Sequence, residues 1–420
     1  MYDTVMRKPR NSPQSPRLGP GLLSRDSGQV VPKRGRRIAV VLPQLFHWSR
    51  QVMNGISEFA RQKQSWSLQW FPYPQPTYQA VADWQPEGVL AFFESDQEAE
   101  EILAICPNTV AVKSAAKIPG LPLVTVNHHA VGEMAADHFV RRGLRYFACL
   151  SLQDSPFGSP RAAGFAEFLL RHRNAPSSTF WHQAPPGGQG LNLRDNGEFC
   201  NWLRSAPKPL GLFAVDDRLG LEACEICRDL CLPVPHDVAV LGADDDASLC
   251  QISNPTLSSI HTPLFQIGCD AARLLASMLG RQKLNTQTRL LDPIRVTTRE
   301  SCGVLAVGDP DVAEVLRRIH SITGRPVTVK ELLKHVSLSR RALEQRFRAA
   351  IGCSPMEEVR RVRDGRAVEM LLNSDAPIWK IAKECGFGSA VHLSVAFRRF
   401  QGLSPRQFRE RFRTLQYSIV

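Results

Sequence analysis

The sequence predicts an α/β domain of about 260 residues followed by an all-α domain holding two helix-turn-helix units. Three observations carry that expectation. Short apolar runs alternate with amphipathic segments from Arg36 to about residue 300. Strand signals then cease, and everything from Ala313 onward reads as helices punctuated by Gly, Ser and Pro. The basic residues gather at the two ends of the chain.

The first strand is IAVVLP, entered from Arg36 and Arg37. An uninterrupted apolar run of this kind suits a parallel strand buried on both faces, and residues 50–62 (RQVMNGISEFARQ) follow with apolar residues at helical spacing. The alternation continues through GVLAFF, EAEEILAIC, TVAVK and PLVTVN, a helix over 131–142, YFACLSL and a helix over 160–170. It ends with GLFAVDD, a helix over 219–230, DVAVLGADDD and a helix over 267–279. Strands alternating with helices imply parallel sheets with right-handed crossovers. Such sheets bind ligands beyond the carboxyl ends of their strands. There the sequence places Trp48, Ser49 and Arg50, then Asn127 and His128, Asp216 and Asp217, and Asp244, Asp245 and Asp246.

In the helical part, Thr328 and Glu331 make a capping-box pattern at the start of one helix, with Leu332, Leu333 and Val336 as its apolar face. Ser337, Leu338 and Ser339 form a turn. Leu343, Phe347 and Ile351 then repeat at every fourth residue of a second helix, which completes a helix-turn-helix. Arg340, Arg341, Glu344, Gln345 and Arg348 lie off that stripe, where Arg suits guanine and Gln suits adenine. The pattern recurs after Ser374, with Ile378, Ile381 and Ala382 on one helix, Gly386 at the turn, and Leu393, Phe397 and Phe400 on the next.

The segment IAKECGFGSAVHLSVAFRRFQGLSPRQFR resembles the signature of the AraC/XylS transcription regulators, through Leu343, Phe347, Gly352, Pro355, Ile381, Ala382, Gly386, Phe387, Phe397, Gly402 and Pro405. The resemblance implies two subdomains joined by a long helix over 356–372, with recognition helices in successive major grooves. The second recognition helix offers Ala390, Val391, His392, Ser394 and Val395, which suit thymine methyls better than bidentate pairing. The first is therefore expected to supply most of the specificity, with Arg398, Arg399 and Arg406 on phosphates.

The α/β part resembles the periplasmic-binding-protein-like core of LacI/GalR regulators, through PVPHDVAVLGADD and NPTLSSIHTPLFQIGCDAARLL. That resemblance implies two similar lobes closing on a sugar, with ligand contacts on Arg161 in SPRAAGF, Asp217 in AVDDRLG and Asp244 in GADDD, and with Trp48, Arg50, Asn127 and His128 completing the pocket. Asn127-His128 stands where that family usually has Asp-Asn. A sensor core preceding an AraC-type domain, together with RIAVVLPQLFHWSRQVMNGISEFA, resembles the xylose-responsive regulators and implies D-xylose as effector. Ser49 departs from the Asp expected there. The family implies a homodimeric activator that engages a double-stranded operator and RNA polymerase.

The expected organisation is a disordered basic tail (1–35), a sensor (36–300), a linker (301–312) and a DNA-binding domain (313–420). Of the net charge of +12, residues 311–420 carry +10 and residues 1–37 carry +7, which leaves −5 between them, so the ends are the nucleic-acid surface. No long apolar run suggests a membrane span or a secretory signal. Eleven cysteines, an odd number, fit a reducing cytoplasm better than a disulfide framework. Cys224, Cys227 and Cys231 read as small buried residues of one helix face, and neither a metal nor a cofactor is expected. A transport-type sugar-binding protein and an enzyme carrying an AraC-like domain are the competing classes. The basic helical end argues against the first. The lack of a nucleophile elbow, Walker loop or HExxH argues against the second.

Overall fold

The structure, a computed structural model, describes residues 35–412 apart from 64–65, 74–77, 154, 174–177, 183–192, 281–287, 304–308, 322–323 and 326. The expected tail, Gly35 excepted, and residues 304–308 of the expected linker lie outside the described residues.

The apolar runs form parallel strands because both faces of each are covered by helices. The first lobe contains β1 (Arg36–Pro43), α1 (His47–Lys63), β2 (Trp66–Tyr73), α2 (Tyr78–Trp84), β3 (Gly88–Ala91), α3 (Asp96–Ile105), β4 (Thr109–Val112) and β5 (Leu123–Val126). The chain crosses into a second lobe of α4 (His128–Arg141), β6 (Tyr146–Leu152), α5 (Gly158–Arg173), β7 (Ser178–His182), α6 (Gly197–Ser205), β8 (Leu210–Ala214), α7 (Asp217–Asp229), β9 (Val238–Ala243), α8 (Ala247–Ile252) and β10 (Ser258–His261). It returns to the first lobe as α9 (Leu264–Leu279) and β11 (Arg289–Leu291), then crosses again to β12 (Arg295–Thr297). The sheets run β11-β5-β4-β3-β1-β2 and β12-β10-β9-β8-β6-β7, and among the described residues only the β10–β12 pair is antiparallel. The sensor is thus a two-lobed α/β domain of the periplasmic-binding-protein type.

Three crossings make the hinge, and they are tied to one another. The Asn127 amide donates to the Leu291 carbonyl (2.8 Å), and the Ile294 amide donates to the His261 carbonyl (2.9 Å). The sensor runs slightly past its expected end, because Ser301 and Cys302 are buried and Ser301 Oγ donates to the Val240 carbonyl (2.7 Å).

The helical domain comprises α10 (Pro310–Ser321), α11 (Val329–Leu333), α12 (Arg340–Ile351), α13 (Pro355–Asn373), α14 (Ile378–Glu384), α15 (Ala390–Gln401) and α16 (Pro405–Phe412). Its first helix takes in residues 310–312, which the expected linker had claimed: Asp309 Oδ1 accepts from the amides of Asp311 and Val312, and Val312 is buried. The capping box on Thr328 forms as expected. The two units are built alike. Ser339 and Ser389 cap the recognition helices, Leu343 and Phe347 recur as Leu393 and Phe397, and Gly352 and Gly402 end them at φ of 85° and 72°. Only glycine adopts that left-handed cap without strain. Each unit has its own core, one around Val315, Leu332, Leu343 and Phe347, the other around Val368, Ile381, Leu393, Phe397 and Phe408.

Cys224 and Cys227 are buried on α7, and burial pushes both thiols up to about 12. Cys231 departs from the expectation: α7 ends at Asp229, and Cys231 lies beyond it, exposed. Among the described residues no helix is long and apolar enough to cross a membrane, and no group of His, Cys, Asp or Glu is placed to hold a metal ion.

Candidate ligand cleft and DNA-binding surface

Close helix packing sets the cleft. A Cβ on Gly132 of α4 would stand 1.9 Å from the Arg161 carbonyl, and one on Gly164 of α5 would stand 2.1 Å from the His129 carbonyl. The two glycines let α4 and α5 touch backbone to backbone, which brings Arg161 beside His128. Arg161 donates to Asp244 Oδ1 (2.8 Å), to His128 Nδ1 (3.2 Å) and to the Val215 carbonyl. Asp244, at φ 96° just past β9, also accepts from Thr262 (3.1 Å) and, across the cleft, from Lys113 of the first lobe (3.3 Å). Lys113 and Arg161 are 4% and 2% exposed, so both cations are withdrawn from water onto one carboxylate.

The electrostatics follow from this burial. Burial opposes ionisation of Asp244, but the neighbouring Arg161 and Lys113 cations win and hold its carboxyl well below the usual range. Burial, with Arg161 and Lys113 adding, pushes His128 well below the ordinary imidazole value, so the ring is neutral. Its Nδ1 accepts from Arg161, which puts the proton on Nε2. That Nε2 is buried and has no hydrogen-bond partner among the described residues. Aromatic rings wall the space: the Lys113 ammonium stands 4.9 Å from the Trp48 ring centroid and 5.6 Å from that of Phe157, and Phe157 lies 5.3 Å from His128.

Of the residues expected at the ligand, Trp48, His128, Arg161 and Asp244 are therefore brought together. The other three are placed elsewhere. Asn127 is committed to the hinge, capping α4 through the Ala130 amide (3.2 Å) and donating to Asp292 (2.8 Å). Arg50 is exposed and holds the Leu45 carbonyl (2.7 Å). Asp217 is buried beneath the cleft, accepting from Ser259 and from the Asp246 amide, and burial pushes its carboxyl well above the usual range. Its neighbour Asp216 caps α7, more exposed, and its field reaches Lys113. Sequence reasoning missed Lys113 and Phe157, and of the adjacent Asp216 and Asp217 at the strand end it chose Asp217 for the pocket. Lys113 follows a strand as any surface lysine does, and only the lobe pairing puts it opposite Asp244.

On α12, Arg340, Arg341, Gln345 and Arg348 are exposed, with Arg340 Nε on Glu344 (2.9 Å). On α15, Val391 and Val395 are 69% and 67% exposed, an apolar pair suited to thymine methyls, and His392, Arg398 and Arg399 are exposed with them. Ala390 and Ser394 are half-buried, and Ser394 Oγ is spent on the Ala390 carbonyl (2.8 Å).

Sensor and head are in contact, and two of the contacts involve side chains that bear on coupling. Arg141 of α4 stands 3.7 Å from Glu358 of α13 and 3.6 Å from Cys353 Sγ. Glu358 is fully buried; burial opposes its charge, yet Arg361 (2.8 Å) and His320 (3.1 Å) hold it below the usual carboxylate range. In the second, Ile294, on the third hinge crossing and 7% exposed, enters the apolar core of the second helix-turn-helix unit.

Two lobes around a buried polar cluster, packed against a paired helix-turn-helix head, define a ligand-responsive, DNA-binding transcription regulator. Residues 136–302 match the periplasmic binding protein-like domain family, and residues 332–411 match a helix-turn-helix domain family. The chain is similar to the xylose operon regulatory protein of Escherichia coli K12, at 25% identity over 376 residues that span 86% of this chain and 94% of that protein. Its similarity to the Haemophilus influenzae protein of the same description is 27%, over 86% and 95%. The solved structure of a xylose-binding transcription activator shares the fold with a TM-score of 0.55 and 22% identity, covering 90% of this chain and 98% of that one.

Proposed function

We propose that the protein is a cytoplasmic, sugar-responsive transcription activator, which acts by binding and carries out no catalysis. A small sugar of the class named by its relatives, with D-xylose the reference compound, enters between the lobes and replaces contacts that Lys113, Arg161 and Asp244 now make with one another. The protein acts as a homodimer, its heads engage an operator through α12 and α15, and RNA polymerase is recruited beside it. The observation that carries this reading is the continuity from cleft to head. Asp244 is bonded to Thr262 on one hinge crossing, the neighbouring His261 carbonyl holds Ile294, and Ile294 is packed in the core that supports α15. A change in lobe angle must move Ile294 and so bias the head, provided the ligand favours one lobe angle over the other.

The test is a thermal-shift panel of pentoses and hexoses on the full chain, followed by binding to operator fragments selected from random DNA, with and without each compound that shifts. Stabilisation that grows with concentration, joined to a change in operator affinity, supports the reading. A chain that selects no DNA sequence defeats it.

A further inference from the structure

The two helix-turn-helix units keep a common register. Ser339 and Ser389 cap α12 and α15, Leu343 and Phe347 correspond to Leu393 and Phe397 in the two cores, and Gly352 and Gly402 end the helices, so each position of α12 has its counterpart 50 residues on. The burial pattern repeats too: positions 341 and 345 are exposed, as are 391 and 395, while 344 and 394 are half-buried. Residues three and four apart share one face of a helix, so α12 and α15 present equivalent faces. The chemistry inverts between them. Arg341 and Gln345 hold polar groups that pair with base edges, whereas Val391 and Val395 hold none. The hydroxyl between the valines is spent, because Ser394 Oγ donates to the Ala390 carbonyl (2.8 Å). His392 stands at the position of Ala342 and flanks this face. Leu393 and Phe397 fill the core, and the valines, 69% and 67% exposed, take no part in it. Arg398 and Arg399 are exposed on the last turn, where α12 has Arg348 and Ala349, so the apolar pair stands beside a cationic edge suited to phosphate.

We propose that α15 recognises methyl groups and not whole bases: Val391 and Val395 each seat the C5-methyl of a pyrimidine, so that thymine and 5-methylcytosine are accepted alike and cytosine is refused. The proposal rests on the reading of α15 as the second DNA-recognition helix. The C5-methyl is the one apolar group that base pairs display in the major groove. 5-Methylcytosine carries it at the same ring position as thymine. What otherwise distinguishes the two, an O4 acceptor against an N4 donor, meets no polar side chain at 391 or 395. Side chains four apart on a helix are about 6 Å apart, and successive bases of a strand are about 3.4 Å apart. The two methyls therefore lie within about two base pairs of each other. The operator is asymmetric as a result, with one box fixed by bases that suit Arg341 and Gln345 and the other by methyl groups, which makes the second box sensitive to cytosine methylation.

The test is fluorescence anisotropy of the full-length protein on an operator selected from random DNA, in which each thymine in turn is replaced by uracil, by cytosine paired with guanine, and by 5-methylcytosine paired with guanine. Two thymines within about two base pairs of each other are each expected to lose about fourfold in affinity as uracil, the worth of one buried methyl. Cytosine is expected to lose at least as much, while 5-methylcytosine stays within about twofold of thymine. Val391→Ala and Val395→Ala are each expected to erase the uracil penalty at one of these thymines, whereas Arg341→Ala leaves both penalties in place. Uracil tolerated at every thymine overturns the proposal and leaves the DNA-binding reading intact, since the operator is still selected. 5-Methylcytosine that binds as poorly as cytosine overturns it as well, because the base itself is then being read. Penalties that survive both valine variants put the methyl contacts elsewhere and overturn the assignment to α15. If no operator is selected, the proposal and the reading fall together. The base replacements are made in the DNA, so the wild-type chain alone decides the first two outcomes and a variant that fails to fold does not spoil them.

Discussion

Replacing Ile294 with alanine separates sensing from DNA binding if the hinge reaches the head as described. Ile294 is 7% exposed and packs among Val368, Leu371, Ile381 and Phe397. The substitution deletes three carbons, at about 0.8 kcal/mol each for lost burial. A space that closes only in part raises the cost to about 2–4 kcal/mol. That loss falls on the joint, because Ile294 contributes no side chain to the Lys113–Asp244 cluster or to the exposed faces of α12 and α15. Ligand affinity of the variant, read by calorimetry, is expected to stay within about threefold of wild type, and its operator affinity without ligand is expected to change little by the same argument. The ligand-driven change in operator affinity, read by fluorescence anisotropy, should shrink from the roughly 5–150-fold range usual for coupled sites to about threefold or less. An Ile294→Ala chain whose operator affinity responds to ligand as fully as wild type refutes the route through the hinge.

Asp244→Asn strands Lys113 and Arg161 without their carboxylate and is expected to cost about 3–5 kcal/mol in chemical denaturation at neutral pH. Because the folded pKa of Asp244 is depressed, its contribution is present above the unfolded value of about 4 and is lost as pH falls through the folded one. The gap between wild type and variant should therefore narrow only in acid, and a gap that narrows above pH 6 would contradict the assignment. Gly132→Ala drives a Cβ toward the Arg161 carbonyl and should cost about 3 kcal/mol while weakening ligand binding, a pairing checked by thermal melts with and without ligand. Arg341→Ala should cost about 1–3 kcal/mol at one operator position and relax specificity there, whereas Arg398→Ala should weaken all sequences alike and lower the salt slope by about one; selection from randomised operators distinguishes the two.

The fold was legible because its signals are local. Uninterrupted apolar runs mark strands covered on both sides, and Thr328, Ser339 and Gly352 mark helix ends by chemistry that acts within a few residues. The site was half legible. Arg161 and Asp244 stand out because a short motif carries each. The choice between Asp216 and Asp217 turns on which of two adjacent carboxylates points down toward Ser259, and that depends on how α7 docks over β9 and β10. Lys113 and Asp244 are separated by 131 residues and by the lobe boundary, so no window of sequence contains their pairing. Asn127 looked like a ligand residue because it ends a strand; the third crossing, with Asp292, claims it for the hinge.

The most direct test of ligand-controlled DNA binding is a reciprocal titration on the full-length chain. Operator affinity is measured with and without saturating ligand, and ligand affinity with and without saturating operator. The account predicts that both change, by the same factor, because each equilibrium draws on one shared lobe angle. Ligand binding that leaves operator affinity untouched would contradict it.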